Sequence, residues 1–507
     1  MDKPLALVLD VGTTALKASL VSPEGVFAAS RACPWGYETV PGVPGGLSFR
    51  PETLLDHFYA LTAALFEADG TYPKRIAAVI VSAQRLGFVL LDRSEKPLCG
   101  IPNIDRRAAR EAAAFQGSRW EAYYPVTGRW PGPQHLISRL RWWRENTPEV
   151  LQNTGHILSV SDWLAYALCG ILASDPTTAC ESCLLDIQTL SWSTELLSQE
   201  SLPQSLFCRL LPPGTRIGTA HGSAAQALGL APGTPVVLGA GDTQLGVLGA
   251  GCLLSGDCAV VAGSSAPVNI VMDAPRVDPH FRTVTNPFLM PGAYVMEANA
   301  MLTGVSFTFV KNLLFGDAPE GYAALEELAR GYLQQTESLS GFVTVAGAST
   351  ADTRRGNLYQ SGVIAFPVNE LNTGMLTRGA FAFSAFEAAA YAILRNLEII
   401  GEAGGGAPER LVLGGGETRM SLWIELMRVI SQVPMFRAGA PDMTSLGAAA
   451  LAFAAVSVHP SLKDAVGAMV HGRVVDDPAW LRARPFSGAF LQRKYAWAAA
   501  FSKYRIR

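Results

Sequence analysis

Leu5-Ala-Leu-Val-Leu-Asp-Val-Gly-Thr-Thr-Ala-Leu-Lys-Ala-Ser-Leu-Val-Ser22 decides how the rest of this 507-residue chain is read. Leu5 to Leu9 is an unbroken apolar run of strand length, as expected for a strand buried on both faces. Asp10-Val-Gly-Thr-Thr14 interrupts it, and Leu16 to Val21 resumes it with Lys17 inserted near the turn. A charge at the end of a buried strand is costly without a partner. The turn offers a carboxylate for a metal ion, a glycine that lets backbone N–H groups approach an oxyanion, two hydroxyls and a lysine. Those groups suit a polyphosphate with Mg2+. They equally describe a hairpin whose Asp caps its turn, and the remainder of the chain has to decide between the two.

The length exceeds one ordinary core, so two domains are expected. A chain that is 49% hydrophobic and 16% charged, with 49 Gly and 32 Pro, is a turn-rich globular protein. Forty basic residues against 43 acidic ones leave a net charge of -3. No basic excess calls for nucleic acid, and no Lys/Arg block calls for a membrane surface. Eight cysteines are too sparse for a disulfide scaffold. The one close pair, Cys180 and Cys183, has no second pair or histidine at ligand spacing and reads as two small core residues. The N-terminus begins on a strand pattern rather than a secretory signal. The small-apolar run Leu446 to Val458 is too short to cross a bilayer as a helix. A cytoplasmic protein is expected.

In chain order, Pro51 to Ala68 has helical periodicity and Arg75 to Ser82 is a second buried strand. Gln84 and Arg85 follow at its carboxyl end, where ligands bind in open α/β sheets. Helices are expected from Asn103 to Phe115, from Pro133 to Trp143, and from an acidic cap at Asp162 to Leu168. Pro235 to Gly239 is a strand running into Gly239-Ala-Gly-Asp-Thr-Gln244. The opening pattern then recurs in Asp257 to Val271: strand, Gly/hydroxyl turn, strand. Ser264 lies about half the chain after Thr13, which suggests two similarly built halves facing one cleft. Glu409 to Leu413 is a strand entering Gly414-Gly-Gly-Glu-Thr418, and a helix follows from Ser421 to Ser431. Thr444 to Phe453 is a helix of small residues able to pack closely on a neighbour.

No Walker-type P-loop, no G-x-S-x-G elbow and no H-E-x-x-H motif is present. What remains is three Gly/hydroxyl turns after strands, with an acidic turn at Asp242 between the first two. Taken in that order, from DVGTTALK to TSLGAAALAF, the chain resembles the FGGY family of carbohydrate kinases, which includes glycerol kinase and xylulokinase. The resemblance implies an α/β protein of two ribonuclease-H-like (actin-like ATPase) domains with ATP in the cleft between them. On that pattern residues 1–250 carry the first phosphate turn, the sugar site and the catalytic Asp. Residues 251–507 carry the second phosphate turn and the adenosine motif.

The same resemblance implies the site. Gly12, Thr13, Thr14 and Lys17 form the first phosphate turn, with Asp10 and Asp242 holding Mg2+. Gly263, Ser264 and Ser265 form the second turn. Gly414, Gly415, Gly416 and Glu417 form the adenosine motif. Asp242 is the general base that takes the proton from the attacking hydroxyl, as phosphoryl transfer requires. Gln84, Arg85, Asp105, Gln134, Thr243 and Gln244 line the acceptor side. Leu86 stands where glycerol kinases have a Glu, and Arg355-Gly356 keeps an R-G pair of the family. The expected activity is ATP-dependent phosphorylation of a small sugar or polyol, a pentulose-like ketose first. Glycerol, a linear dihydroxy-ketone signal (suggested by Asn103-Ile-Asp105), or a non-catalytic nucleotide-gated regulator are the alternatives. No nucleic-acid or membrane partner is expected, and a homodimer is left open.

Overall fold

A computed structural model describes residues 3–115, 118–318, 320–336, 339–345, 347–350, 362–372, 374–431, 433–478, 490, 492–494 and 497. Its first sheet contains β1 (Leu5–Val11), β2 (Ala15–Val21), β3 (Phe27–Pro34), β4 (Ile76–Ala83), β5 (Arg216–Thr219) and β6 (Pro235–Gly241), in the order β5-β6-β4-β1-β2-β3. β1 runs antiparallel to β2 and parallel to β4, and β6 runs parallel to β4. All seven residues of β1 are buried. Its side chains alternate between two cores, as strand geometry requires. Leu5, Leu7, Leu9 and Val11 join Leu54, Phe58, Leu61 and Leu65 of α1 (Pro51–Phe66). Ala6 and Val8 face the other way, into a core with Leu446, Ala449 and Phe453.

The second sheet repeats this plan. It contains β7 (Asp257–Val261), β8 (Pro267–Met272), β9 (Val284–Pro287), β10 (Tyr294–Asn299), β11 (Arg410–Gly414), β12 (Met435–Ala438) and β13 (Gly472–Val474). Their order is β9-β10-β8-β7-β11-β12-β13. β7 pairs antiparallel with β8 and parallel with β11, as β1 does with β2 and β4. The strand–turn–strand echo seen in the sequence is therefore an echo of topology.

Between the sheets lie α2 (Asp242–Gly249) and α3 (Met443–Ala455). They touch backbone to backbone: a Cβ on Gly249 would run into the Met443 carbonyl oxygen, and one on Gly447 into that of Leu245. The small-residue helix expected over Thr444–Phe453 does pack closely on a neighbour, and glycine is what permits it. α3 comes late in the chain but lies on β1, β4 and β6 of the first sheet. The expected division at residue 250 falls in the turn that joins α2 to β7, while this core runs across it.

Three expected boundaries shift. The helix expected from Asn103 starts only at Ala109, because the Asp105 carboxylate holds the preceding turn to the Leu47 N–H (2.6 Å). The helix expected from Pro133 starts at Leu136, after a turn in which Gly132 donates to His135 Nδ1 (2.9 Å). Asp162 is not a cap: Ser159 caps that helix by accepting from the Asp162 N–H, and Asp162 is buried inside the first turn. Cys180 and Cys183 are fully buried free thiols. No helix among the described residues is long and apolar enough to cross a membrane.

Candidate active site

Register brings the first group together. Asp10 pairs with Lys17 on β2 and with Ser82 on β4, and Ser82 pairs with Ala240 on β6. The carboxyl ends of β1, β4 and β6 thus deliver Asp10, Gln84-Arg85 and Asp242 to one edge, where open sheets of this kind bind ligands. The Gly12–Thr14 turn is held from outside. Trp35 donates to the Gly12 carbonyl through Nε1 (2.9 Å) and to the Thr14 carbonyl through its backbone N–H (3.1 Å). Tyr37 donates to the Thr13 carbonyl (2.6 Å), and Asn103 Nδ2 donates to Thr13 Oγ1 (2.8 Å). Gln84 lies here too, its amide 3.3 Å from the Tyr37 hydroxyl.

Lys17 finds its partner 425 residues away in the chain, in Asp442 Oδ2 at 2.6 Å. Asp442 is also the N-cap of α3, accepting from the Ser445 N–H (3.2 Å) and hydroxyl (2.7 Å). Burial, then Asp442 and more weakly Asp242, push the Asp10 carboxyl up to about 7, and Lys17 opposes them. Its Oδ1 is buried without a hydrogen-bond partner. That is the state of a carboxylate suited to a cation. No three acidic, histidine or cysteine side chains among the described residues converge tightly enough to ligate one directly. The unpartnered Asp10 oxygen fits a hard cation such as Mg2+, an ion that keeps several of its waters when bound.

The second turn and the third glycine cluster share one cavity of about 600 Å3, lined by Gly263, Ser264, Gly304, Tyr322, Gly416 and Glu417 among others. Gly263 donates to the Ser265 carbonyl (2.9 Å), and Ala262 to that of Gly414 (2.7 Å). Gly415 has φ +96° and sits so close to Ala262 that a Cβ would strike its carbonyl oxygen. Only glycine meets both demands. Burial pushes the Glu417 carboxyl up to about 8, against a hydrogen bond from Thr303 Oγ1 (3.2 Å).

Asp242 opens α2. The Thr243 N–H and hydroxyl donate to its Oδ1 (2.7 and 3.3 Å), so Thr243 orients the carboxylate. Burial raises the Asp242 pKa, while Arg85 and the Thr243 donors lower it and Glu297 adds to the rise. Asp10 of β1 and Arg85, just after β4, are thus the charged neighbours of Asp242 at this edge, with Glu297 adding repulsion. Arg85 is gripped by Glu297 of β10 (2.8 and 3.1 Å) and lies 3.4 Å from Glu181. Glu181 in turn pairs with Arg129 (2.5 Å), which donates to Asn286 Oδ1 (2.5 Å). Burial lowers the neighbouring His135 to about 4. Gln244 is 1% exposed, and neither amide atom has a partner.

Asp105 stands apart. It is fully buried, and its oxygens are taken by the Leu47 N–H, by Arg107 (3.0 and 2.9 Å) and by Arg139 (3.3 Å). That set makes it a brace for the loop rather than a free ligand. Gln134 is half-buried in the turn before the Leu136–Asn146 helix. Arg355 and Gly356 lie outside the described residues. Asp442, Glu181, Arg129 and Glu297 were not foreseen. Asp442 carried a weak signal, an Asp one residue before the Met443 start of a helix. Glu297, in the run Tyr294-Val-Met-Glu-Ala-Asn299, carried none.

Two family models match the chain: the N-terminal domain of the FGGY family of carbohydrate kinases over residues 5–249, and its C-terminal domain over 258–456. An autoinducer-2 kinase of Escherichia coli (strain K12) is 28% identical over 474 residues, covering 91% of this chain and 88% of the relative. One from Yersinia enterocolitica is 28% identical over 468 residues, covering 90% and 87%. Among solved structures, xylulose kinase from Rhodospirillum rubrum superposes with a TM-score of 0.85 at 23% identity, over 98% of each chain. Gluconate kinase from Lactobacillus acidophilus does so with 0.84 at 21% identity, over 99% and 100%. A repeated sheet with its facing turns and a buried acid between them agrees with matches spanning both halves: the chain belongs to the FGGY family of carbohydrate kinases.

Proposed function

We propose that Asp242 is the general base of a phosphoryl transfer from ATP to a hydroxyl of a small sugar or polyol. The observation that carries this reading is the position of Asp242 at the carboxyl end of β6, where the register of β1, β4 and β6 brings it to the same edge as Asp10 and Arg85. The acceptor O–H gives its proton to the Asp242 carboxylate as its oxygen bonds to the terminal phosphorus, and the bond to the ADP oxygen breaks. Burial raises the basicity of Asp242, and its Thr243 bonds fix which oxygen is free. Gly12, Thr13, Thr14 and Lys17 hold phosphates from the first half, and Gly263, Ser264 and Ser265 from the second. Gly414, Gly415, Gly416 and Glu417 border the nucleoside. Asp10, with Asp242, would hold Mg2+, which offsets phosphate charge when bound. Arg85, Gln244 and Gln134 face the acceptor, and Gln84 bridges from the phosphate turn.

A small ketose is the first acceptor class. A linear dihydroxy-ketone signal is the second, supported by the relatives named autoinducer-2 kinase and by the Asn103-Ile-Asp105 segment. ADP release measured with and without pentuloses, alditols, glycerol and a linear dihydroxy-ketone tests the assignment. Release that depends on one acceptor class supports it. Acceptor-independent hydrolysis, or ATP binding without turnover on any acceptor, overturns it.

A further inference from the structure

We infer that Asn269 and Glu297 complete the acceptor pocket from the second sheet and select a neutral polyhydroxylated acceptor over a sugar acid; the inference rests on the phosphotransfer reading above. Asn269 pairs directly with Glu297 across β8 and β10 and with Ala259 on β7. One face of that sheet is apolar where it meets α2 and α3, with Ala259, Val271 and Val295 in the shared core. Asn269 lies two residues from Val271, and Glu297 two from Val295, so both project from the same face. They are the polar interruption of an apolar surface, at the end where Glu297 reaches Arg85.

Asn269 is fully buried, and neither its amide oxygen nor its nitrogen has a partner. Gln244, on the opposing helix, is in the same condition. Buried amides are almost always satisfied, and one left open is a standing cost to the fold. A leucine at either position would avoid that cost. Four unpartnered amide atoms near a buried Arg–Glu pair fit a ligand that presents several hydroxyls, each able to donate and accept.

The charge balance narrows the class. Two guanidiniums, Arg85 and Arg129, stand among three carboxylates, Asp242, Glu181 and Glu297. Both guanidiniums are already paired, and His135 is neutral at pH 7. A carboxylate on the acceptor would meet like charge in a buried site, and a neutral hydroxyl would not.

The test uses the full chain with ATP and Mg2+, on neutral ketoses and alditols matched to the aldonates of the same carbon number. The neutral compounds are expected to have kcat/KM at least about a hundredfold above the aldonates. Asn269→Leu should keep or raise the unfolding temperature, yet raise acceptor KM about tenfold with ATP KM unchanged. Glu297→Gln should raise acceptor KM and narrow the gap to the aldonates. A preference for aldonates overturns the inference. So does an Asn269→Leu protein that loses stability while acceptor KM stays put. If the wild type turns over nothing, the phosphotransfer reading falls instead. Calorimetric binding of the same neutral and acidic compounds to wild type and Asn269→Leu then decides the inference separately: equal affinities overturn it, and weaker neutral binding by the variant supports it.

Discussion

At the scale of single residues, the two halves of the cleft make different demands on a carboxyl group. Asp242 needs to ionise and accept a proton. Asp242→Asn removes the base but keeps the shape and the Thr243 contact, so turnover should fall by about 10²–10⁴-fold. ATP affinity, measured by calorimetry, should change little. Full sugar phosphorylation by the variant would remove Asp242 from the role. Glu417 makes the opposite demand: its carboxyl is pushed up to about 8 from an ordinary value of 4.5. The folded protein therefore holds a proton there that the unfolded chain has already released. The stabilising contribution is complete below pH 4.5 and is lost as pH rises through about 8. Urea midpoints of the ligand-free protein should decline between pH 5 and 9, and Glu417→Gln should flatten that decline. Equal slopes for both proteins would refute the buried acid.

At the scale of elements, the contact between α2 and α3 sets the distance between the sheets, and with it the distance between the two phosphate turns. Gly447→Ala places a methyl group against the Leu245 carbonyl oxygen, where backbone cannot yield. A loss of about 1–3 kcal/mol is expected from overpacking, read from urea unfolding. ATP KM should rise alongside, because the Lys17–Asp442 bridge at the head of α3 would shift with the helix. Unchanged stability would mean that the helices can slide apart freely. The elements that form this frame were legible in the sequence wherever local pattern and local chemistry coincide. β1 with its turn, β7 with its echo, and the small-residue helix all announce themselves. Helix starts at Asn103 and Pro133 were not legible, because contacts from Asp105 and His135 settle those turns. Asp105 read as an acceptor ligand, and its oxygens are taken by partners that include the Leu47 N–H, 58 residues away. Glu297 could not be found at all: its partner Arg85 is 212 residues distant, and a Glu in an apolar strand looks like a solvent-facing residue.

At the scale of the whole molecule, the sequence suggests two bodies, whereas the packing joins them through one core. Ala6, Val8, Ala78, Ile80 and Val237 of the first sheet are covered by Leu446, Ala449 and Phe453 of α3, which the chain reaches only after building the second sheet. Residues 1–250 expressed alone would expose that apolar row to water, and exposed rows of this kind drive association. The fragment is expected to aggregate, or to lack a cooperative unfolding transition. The intact chain is expected to show one calorimetric transition whose calorimetric and van't Hoff enthalpies agree, since neither sheet can lose its face without the other. The alternative outcome is specific. Two resolved transitions, with a soluble and cooperatively folded 1–250 fragment, would mean that α3 is a docked arm rather than shared core. With one shared core, the α2–α3 contact at Gly249 and Gly447 belongs to the same cooperative unit, and Gly447→Ala should lower the single transition as a whole rather than split it.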